Sequence, residues 1–350
     1  MIPFALLQRV SVFELQPRTH LINRRLEMQK TRNALLVMLV IGLFSSAAGA
    51  TPVGKLVGWG DNDNGETNVP AGNDFVAVAA GGYHSLALKS DGSLVGWGSN
   101  DYGESGVPAG NDFVAIAAGD FHSLALKSNG SLAAWGVNSG PYDFGQTNVP
   151  AGNDFVAISA GALHSLALRS DGSLVGWGDN TYNGQATVPA GNNFAAIAAG
   201  AVHSLALKSD GSLAGWGSND YGESGVPAGN NFVAVAAGYY GSVALKSDGS
   251  LAGWGNPFYG LALVPGGNDF AAIAAGGRHG VALKSDSSLA AWGENAFGQL
   301  NNVPSGNNFT AIAAGAFHSL AIQVVPEPAS WTLVGIAVAA ALARRRRIGT

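Results

Sequence analysis

Six histidines occupy one recurring position of the chain, and clustered imidazoles are what a metal site would need. They are His84, His122, His164, His203, His279 and His318, and Gly241 takes the seventh place. Ligands of one zinc ion stand about 2 Å from it, whereas equivalent positions on neighbouring units of a repeat fold should lie roughly 9 Å apart, given strand spacings near 4.8 Å. The pattern therefore predicts structural histidines, bonded to the backbone at a turn, rather than metal ligands.

A second candidate for chemistry is the acidic segment 61–66, DNDNGE, which resembles the start of a calcium loop. The template places glycine sixth, but Gly65 is fifth here and Glu66 is sixth, so the match fails. The sequence also lacks the motifs of serine hydrolases, P-loop proteins and zinc proteases. Because the chain has no Cys, disulfides and thiol catalysis are excluded. The sequence predicts no catalytic residue, no metal and no cofactor.

The histidines belong to a segment that the chain repeats, exemplified by residues 83–98, YHSLALKSDGSLVGWG. Its tryptophan recurs with spacings of 38, 38, 42, 39, 38 and 38 residues, at Trp59, Trp97, Trp135, Trp177, Trp216, Trp254 and Trp292. A fixed period of this length is typical of a repeat architecture, in which each unit stacks on its neighbours.

Each unit contains three short candidate strands, as the copy at residues 75–80, 84–90 and 94–98 illustrates. Asp-Gly between the last two strands predicts a tight hairpin. The loop to the next unit, of about fourteen residues in segment 99–112, is long enough to contain a short fourth strand. Since no 3.6-residue period is present, a helical solenoid is excluded. A β-helix stays open, but its rungs are usually shorter, so propeller blades fit best.

The order of the strands predicts how the repeats close on themselves. The chain opens with a lone third strand at 55–60 and ends with lone first and second strands at 309–323. Pairing the two would complete a seventh blade and remove exposed sheet edges. The predicted fold is all-β: a seven-bladed β-propeller with about three strands per blade, over residues 51–324.

The repeat motif is similar to that of a known family. G-x-x-H-S-L-A-L, followed by D-G-x-L and by W-G-x-N-x-x-G-Q, resembles the repeat of the regulator of chromosome condensation family, over roughly residues 55–323. The short units are closer to the bacterial type II β-lactamase inhibitor protein, which is also a seven-bladed propeller. The resemblance implies the fold and leaves the function open, because propellers host unrelated activities.

The N-terminal segment has the features of an export signal. Residues 34–44, ALLVMLVIGLF, form an apolar run that follows Lys30 and Arg32 and precedes the A-G-A of residues 48–50. A basic start, a short apolar run and a small-residue cleavage site are typical of a secretory signal peptide. Residues 1–50 are therefore predicted to be a leader and signal peptide, with Met28 as a second candidate start.

The C-terminal segment 325–350 resembles the PEP-CTERM sorting signal of Gram-negative bacteria. It contains Pro326, Glu327 and Pro328, an apolar run at 329–343, and Arg344, Arg345, Arg346 and Arg347. The resemblance implies handling by the secretion machinery and an exosortase, transient membrane contact through 329–343, and delivery to the cell surface or extracellular matrix. A permanent membrane anchor is the alternative.

The body of the chain is acidic, with 8 Lys and Arg against 20 Asp and Glu between residues 51 and 325. Binding to nucleic acid depends on Lys and Arg that neutralise phosphates. Nucleic acid is therefore not an expected partner, and the exchange-factor activity and chromatin binding of the resembled family do not fit this body.

Function is expected where the copies differ, on the face shared by the Gly-x-x-His turns and the loops after each Trp. The predicted binding residues there are Tyr83, Phe121, Tyr142, Tyr239, Tyr240, Phe258 and Arg278. Exposed aromatic residues beside an arginine are typical of interface hot spots. The sequence predicts a non-catalytic, secreted or cell-surface binding or structural module for an extracellular protein or polysaccharide. The alternatives are an extracellular polysaccharide-acting enzyme and an inhibitor of a secreted enzyme.

Overall fold

The computed structural model describes residues 53–324 of the 350-residue chain. The predicted leader and signal peptide, and the sorting signal with its Pro-Glu-Pro and arginine cluster, lie outside the described residues. Within residues 53–324, no helix has the length and apolar character that crossing a bilayer requires.

The described chain forms 21 β-strands and one short 3₁₀ helix. The first strands of the units are β2 Phe75–Ala80, β5 Phe113–Ala118, β8 Phe155–Ala160, β11 Phe194–Ala199, β14 Phe232–Ala237, β17 Phe270–Ala275 and β20 Phe309–Ala314. The middle strands are β3 His84–Lys89, β6 His122–Lys127, β9 His164–Arg169, β12 His203–Lys208, β15 Gly241–Lys246, β18 His279–Lys284 and β21 His318–Gln323. The outer strands are β1 Lys55–Gly60, β4 Leu94–Gly98, β7 Leu132–Gly136, β10 Leu174–Gly178, β13 Leu213–Gly217, β16 Leu251–Gly255 and β19 Leu289–Gly293.

These strands form seven antiparallel sheets of three, the blades, with the first strand of each unit lining the central axis. Blades 1 to 6 are β2–β4, β5–β7, β8–β10, β11–β13, β14–β16 and β17–β19, and blade 7 is β20, β21 and β1. The predicted all-β propeller with three strands per blade is confirmed. The connection after each Trp contains turns and, within the described residues, no fourth strand.

Blade 7 joins the two ends of the described chain. Strand β1 pairs with β21 in antiparallel register, from Lys55 opposite Gln323 to Gly60 opposite His318. The lone third strand thus supplies the outer strand that β20 and β21 lack, as the strand order predicted.

The hydrophobic core lies between neighbouring blades rather than within one. Ala77, Leu88 and Leu94 of blade 1 pack against Phe113 and Ala125 of blade 2, with the Trp of blade 2 at the edge. Fully burying one such large side chain contributes about 1.5–3 kcal/mol. Because a blade buries its faces only against its neighbours, stability depends on the complete ring.

The two ends of the propeller differ in their turns. The hairpin face carries the tight turns between middle and outer strands, where Gly92 has a φ of 84° and Asp91 Oδ1 accepts hydrogen bonds from the backbone and side chain of Ser93. A side chain at Gly92 would also collide with the carbonyl of Asn111 in the next connection. The loop face carries the Gly-x-x-His turns and the loops after each Trp.

Candidate functional site

The six recurring histidines form a buried belt that links neighbouring blades. In each case Nε2 lies 2.8 to 2.9 Å from the hydroxyl of a serine on the next blade: His84–Ser123, His122–Ser165, His164–Ser204, His203–Ser242, His279–Ser319 and His318–Ser85. The histidines are fully buried. The predicted structural role fits this arrangement, but the predicted backbone partner is wrong: the partner is a serine of the adjacent blade.

The serine fixes which histidine nitrogen carries the proton. Ser123 Oγ donates to the backbone carbonyl of Glu104 at 2.8 Å, so it must accept from His84 Nε2. His84 Nδ1 is then a bare acceptor, and it is buried with no donor among the described residues. Burial lowers the pKa of His84 to about 3, because the charged ring would be desolvated without compensation. In the described part of the chain, no three His, Asp or Glu side chains converge in a way that could hold a metal ion.

The belt is interrupted once, between blades 5 and 6. Gly241 replaces the histidine, Gly280 replaces its serine partner, and Leu261 replaces the buried Glu or Gln of the other connecting loops. Leu261 is 1% exposed and packs beside Gly241, while the ring of Trp292 occupies the space at Gly280. All three polar groups are absent together, so none is left buried without its partner.

The loop at this interruption displays the most exposed large apolar side chain of the described residues. The 3₁₀ helix Pro257–Tyr259 is capped by Asn256, which accepts a hydrogen bond from the backbone of Phe258 at 2.9 Å, and it ends at Gly260 with a φ of 80°. Phe258 at its centre is 90% exposed, and Leu263 shortly after it is 66% exposed. The capped turn presents an apolar knob in a defined place.

A tyrosine cluster with one arginine lies beside this knob. Tyr240 stands 5.5 Å from Tyr221 and 5.3 Å from Tyr259, measured between ring centroids. The guanidinium of Arg278 lies 4.0 Å from the ring centre of Tyr259 and 3.3 Å from a carboxylate oxygen of Glu294. We call these residues the Arg278 cluster. Stacking and the ion pair hold the arginine in one position.

Two further aromatic clusters lie on the loop face. Phe121 stacks on Tyr142 at 4.6 Å, and Tyr102 meets both rings edge-on. Tyr83 and Phe297 both contact Phe317, at 6.0 and 4.5 Å. The loops that supply Tyr102 and Tyr221 are set by the buried glutamates two positions later, whose carboxylates accept from the tyrosine backbone at 2.8 Å.

A hydrogen bond spans the mouth of the central channel on this face. The channel has a volume of about 240 Å³ and is lined by the Ala, Val and Ile residues of the first strands. Tyr239 of blade 5 donates to both carboxylate oxygens of Asp120 of blade 2, at 2.9 and 3.0 Å. Burial raises the pKa of Asp120 to about 6, against the opposing effect of the tyrosine hydroxyl. Burial and the neighbouring carboxylate raise the pKa of Tyr239.

Replacing Tyr239 with Phe should raise the pKa of Asp120 above its value of about 6, because the hydroxyl that favours the charged carboxylate is lost. The variant should also be about 1–2 kcal/mol less stable at neutral pH. Carbon-13 NMR titration of the side-chain carboxyl measures the pKa. Tyr83→Phe is the matched control, since Tyr83 makes no hydrogen bond to Asp120. An unchanged titration in Tyr239→Phe would show that the bond does not form in solution.

The predicted site residues all lie on the loop face, but they do not form one patch. Phe121 and Tyr142 share a cluster, Tyr240 and Arg278 share another, and Tyr83 lies in the third. Tyr239 lies at the channel mouth, where it donates a hydrogen bond to Asp120, and Phe258 projects into solvent outside the three clusters. Sequence reasoning missed Tyr102, Tyr221 and Phe297. The signal was available, since each precedes the Gly of the recurrent aromatic-Gly pair.

These observations define the class: a seven-bladed β-propeller of short repeats, linked by a buried histidine–serine belt and carrying aromatic clusters on one face. The chain belongs to the RCC1 repeat family. The regulator of chromosome condensation (RCC1) repeat matches residues 75–104, 113–146, 155–185, 194–223, 232–261 and 270–299. The PEP-CTERM protein-sorting motif matches residues 324–347, which makes this an exported protein sorted to the cell envelope. No curated protein matches the chain significantly.

Several solved structures have the same fold. Prp20p of Saccharomyces cerevisiae is 21% identical with a TM-score of 0.68, covering 88% of this chain and 98% of its own. Human WBSCR16 is 19% identical with a TM-score of 0.63, covering 77% and 98%. The ectodomain of the Arabidopsis thaliana receptor kinase ACR4 is 22% identical with a TM-score of 0.58, covering 73% and 96%. At these identities the likeness shows the fold alone.

Proposed function

We propose that this protein is a non-catalytic binding module of the cell surface or extracellular matrix, and that its loop face is the binding surface. The observation that carries the proposal is Phe258, 90% exposed on a capped turn. This turn stands where the repeat departs furthest from its pattern, beside Leu261, Gly241 and Gly280. A large apolar side chain that an ordered turn holds in water beside aromatic and arginine side chains supports a surface that a partner covers.

The Arg278 cluster next to the knob supports the same surface. Tyr and Arg are the side chains that most often dominate interface energetics, especially when they are ordered before binding. Tyr240, Tyr259 and Arg278 are held by stacking and by Glu294. A partner that covers Phe258 would therefore meet a preformed set of contacts beside it.

The C-terminal end of the propeller lies at the hairpin face, which supports the loop face as the one accessible to a partner. Strand β21 starts at the loop face and ends at the hairpin face, where the backbone of Val324 donates to Asn308 at 2.9 Å. The sorting motif begins at residue 324. A chain held by that motif, before or after exosortase processing, would be attached at the hairpin face and would direct the loop face away from the attachment. Among similar propellers, Prp20p has binding properties to Gsp1p and histones, which supports a protein as the partner.

Phe258→Ala should weaken partner binding by at least about 2 kcal/mol, roughly 30-fold, without lowering the melting temperature, because the side chain is exposed and packs on nothing in the free protein. Extracellular proteins captured by the full-length chain, and a glycan array, would first identify the ligand. Biolayer interferometry would then compare the variants. Val114→Ala is the control, an apolar residue 38% exposed on β5, away from the loop face. Equal affinities of all three proteins would contradict the proposal.

The alternative of a polysaccharide-acting enzyme requires two carboxylates, or a histidine and a carboxylate, in one pocket. At the channel mouth of the described structure Asp120 accepts a hydrogen bond from Tyr239, and the recurring histidines are buried between the blades. Release of soluble sugar from an extracellular polysaccharide by the purified protein, lost in Asp120→Asn, would replace the binding proposal with the enzyme. Inhibition of a secreted enzyme would be one form of the binding proposed here.

A further inference from the structure

Charge is distributed unequally between the two faces of the propeller. Five aspartates of the loop face are exposed or partly exposed: Asp61, Asp63, Asp101, Asp143 and Asp220. Within residues 53–324, Arg278 is the one basic residue on this face, and Glu294 already neutralises it. The loop face is therefore strongly anionic.

The hairpin face carries the other seven basic residues of the described chain, and four of them form ion pairs with aspartates of the same face. Lys89 lies 3.3 Å from Asp74, and Arg169 lies 2.6 Å from Asp154. Two other lysines of this face form the same ion pair. The acidity of the whole body is thus concentrated at the loop face, where the described residues form one ion pair, Arg278 with Glu294.

One buried carboxylate of the loop face has an oxygen without a donor. In the equivalent loop of the next blade, Ser99 donates to Glu104 Oε1 at 2.6 Å, and Ser218 does the same for Glu223 at 2.7 Å. At Glu66 that serine is replaced by Asp61, and Glu66 Oε1 is buried with no hydrogen-bond partner in the described chain. Two carboxylates therefore stand where the loops after blades 1 and 4 place a glutamate and a serine donor.

The carboxylates are interleaved with aromatic rings. Asp101 precedes Tyr102 and Asp220 precedes Tyr221, and all four side chains are exposed. Asp143 lies between Tyr142 and Phe144, which are 39% and 41% exposed. A carboxylate beside the face of an aromatic ring offers a cation both an ion pair and a cation–π contact.

We propose that the loop face binds a positively charged segment of a protein, one that carries Lys or Arg together with an apolar side chain. The inference rests on the proposed function and adds the chemistry of the partner. The lysines and arginines of the partner would lie against the aspartate and tyrosine pairs, and its apolar groups would cover Phe258. The aliphatic Leu263, which follows Phe258 in the same loop and is 66% exposed, fits a protein surface rather than a stacked sugar ring. Anionic polysaccharides would be repelled.

Three synthetic peptides of equal length test the proposal on the full-length protein by isothermal titration calorimetry. They share their Leu and Trp positions and carry Lys, Ser or Glu elsewhere. The Lys peptide should bind at least about tenfold more tightly than the Ser peptide, and the Glu peptide most weakly. The affinity of the Lys peptide should fall as the NaCl concentration is raised.

Charge-neutral variants locate the site. The double variant Asp101→Asn with Asp220→Asn should lower the affinity for the Lys peptide about tenfold. The double variant Asp91→Asn with Asp248→Asn, on the hairpin face, should leave this affinity unchanged. An asparagine can keep the turn intact, because Asn129 already accepts the hydrogen bond of the hairpin turn in blade 2. Equal binding of the Lys and Ser peptides, or an equal loss in the hairpin-face variant, would overturn the proposal.

Tighter binding of chitosan oligomers, with the same charge dependence, would overturn the assignment to a protein. If a captured partner is lost in Phe258→Ala but unaffected by the loop-face Asn variants, the binding surface stands and the cationic chemistry fails.

Discussion

Lowering the pH from 7.5 to 5.5 is expected to remove about 8 kcal/mol from the free energy of unfolding. The cause is the belt of six buried histidines, whose pKa values burial lowers to about 3, or about 4 for His279. In the unfolded chain the same rings have a pKa near 6.5 and take up a proton below it. The unfolded state therefore binds more protons over this range, and stability must fall as the pH falls.

The magnitude follows from the pKa difference. At pH 5.5, one unit below the unfolded pKa, each histidine that stays neutral in the fold costs about 1.4 kcal/mol, and six cost about 8 kcal/mol. Asp120 opposes this effect, because its raised pKa means that the folded state takes a proton first, but it is a single group. The hairpin aspartates, such as Asp91, have lowered pKa values and lose their contribution only below the usual aspartate range.

Urea denaturation at the two pH values, followed by tryptophan fluorescence, measures the difference. The protein itself provides the design of a control, because the junction between blades 5 and 6 lacks the histidine, its serine and the polar loop residue together. His164→Gly with Gln185→Leu and Ser204→Gly copies that arrangement between blades 3 and 4. This variant should lose about 1.4 kcal/mol less on acidification than the parent. Equal stability of the parent at both pH values would show that the histidines are not buried in solution.

Removing strand β1 is expected to destabilise the whole ring by at least about 5 kcal/mol. Leu56 and Trp59 are each 4% exposed, and truncating buried side chains of this size costs about 2–5 kcal/mol each. They also face different neighbours: Leu56 packs with Phe75 of blade 1, whereas Trp59 packs with Val281 and Leu283 of blade 6. Trp59 Nε1 in addition donates to the carbonyl of Gln299 at 2.9 Å. One strand therefore holds blade 7 to both of its neighbours.

A chain that begins at Asp61 tests this prediction against one that begins at Val53. Both lack the segment ahead of the described residues, and they differ only in the strand and its two preceding residues. Thermal unfolding and limited proteolysis should show a large loss of stability in the shorter chain, with cleavage first in β21, which loses its outer partner strand. Equal melting temperatures would mean that the ring does not depend on the shared blade.

Most of the fold could be predicted from the sequence because the same pattern of strands and turns recurs in seven copies. The strands at Phe75–Ala80, Leu94–Gly98 and Lys55–Gly60 begin and end where predicted, since Gly, Asp-Gly and Trp-Gly mark the boundaries of every copy. The pairing of β1 with β21 was also predictable. A repeat divided between the two ends of the region has an obvious partner for each half, and unpaired strand edges are unfavourable.

What the sequence determined is thus the unit, the number of blades, the strand order and the face on which the copies differ. What only the tertiary structure decided is which side chains meet across blades. Five histidines contact a serine about 40 residues away, His318 contacts one 233 residues away, and Tyr239 reaches Asp120 over a separation of 119 residues. Such contacts depend on the position of each blade around the ring, which leaves no local pattern in the chain. For the same reason, the predicted aromatic residues divide among separate clusters, and only Phe258 remains fully presented to a partner.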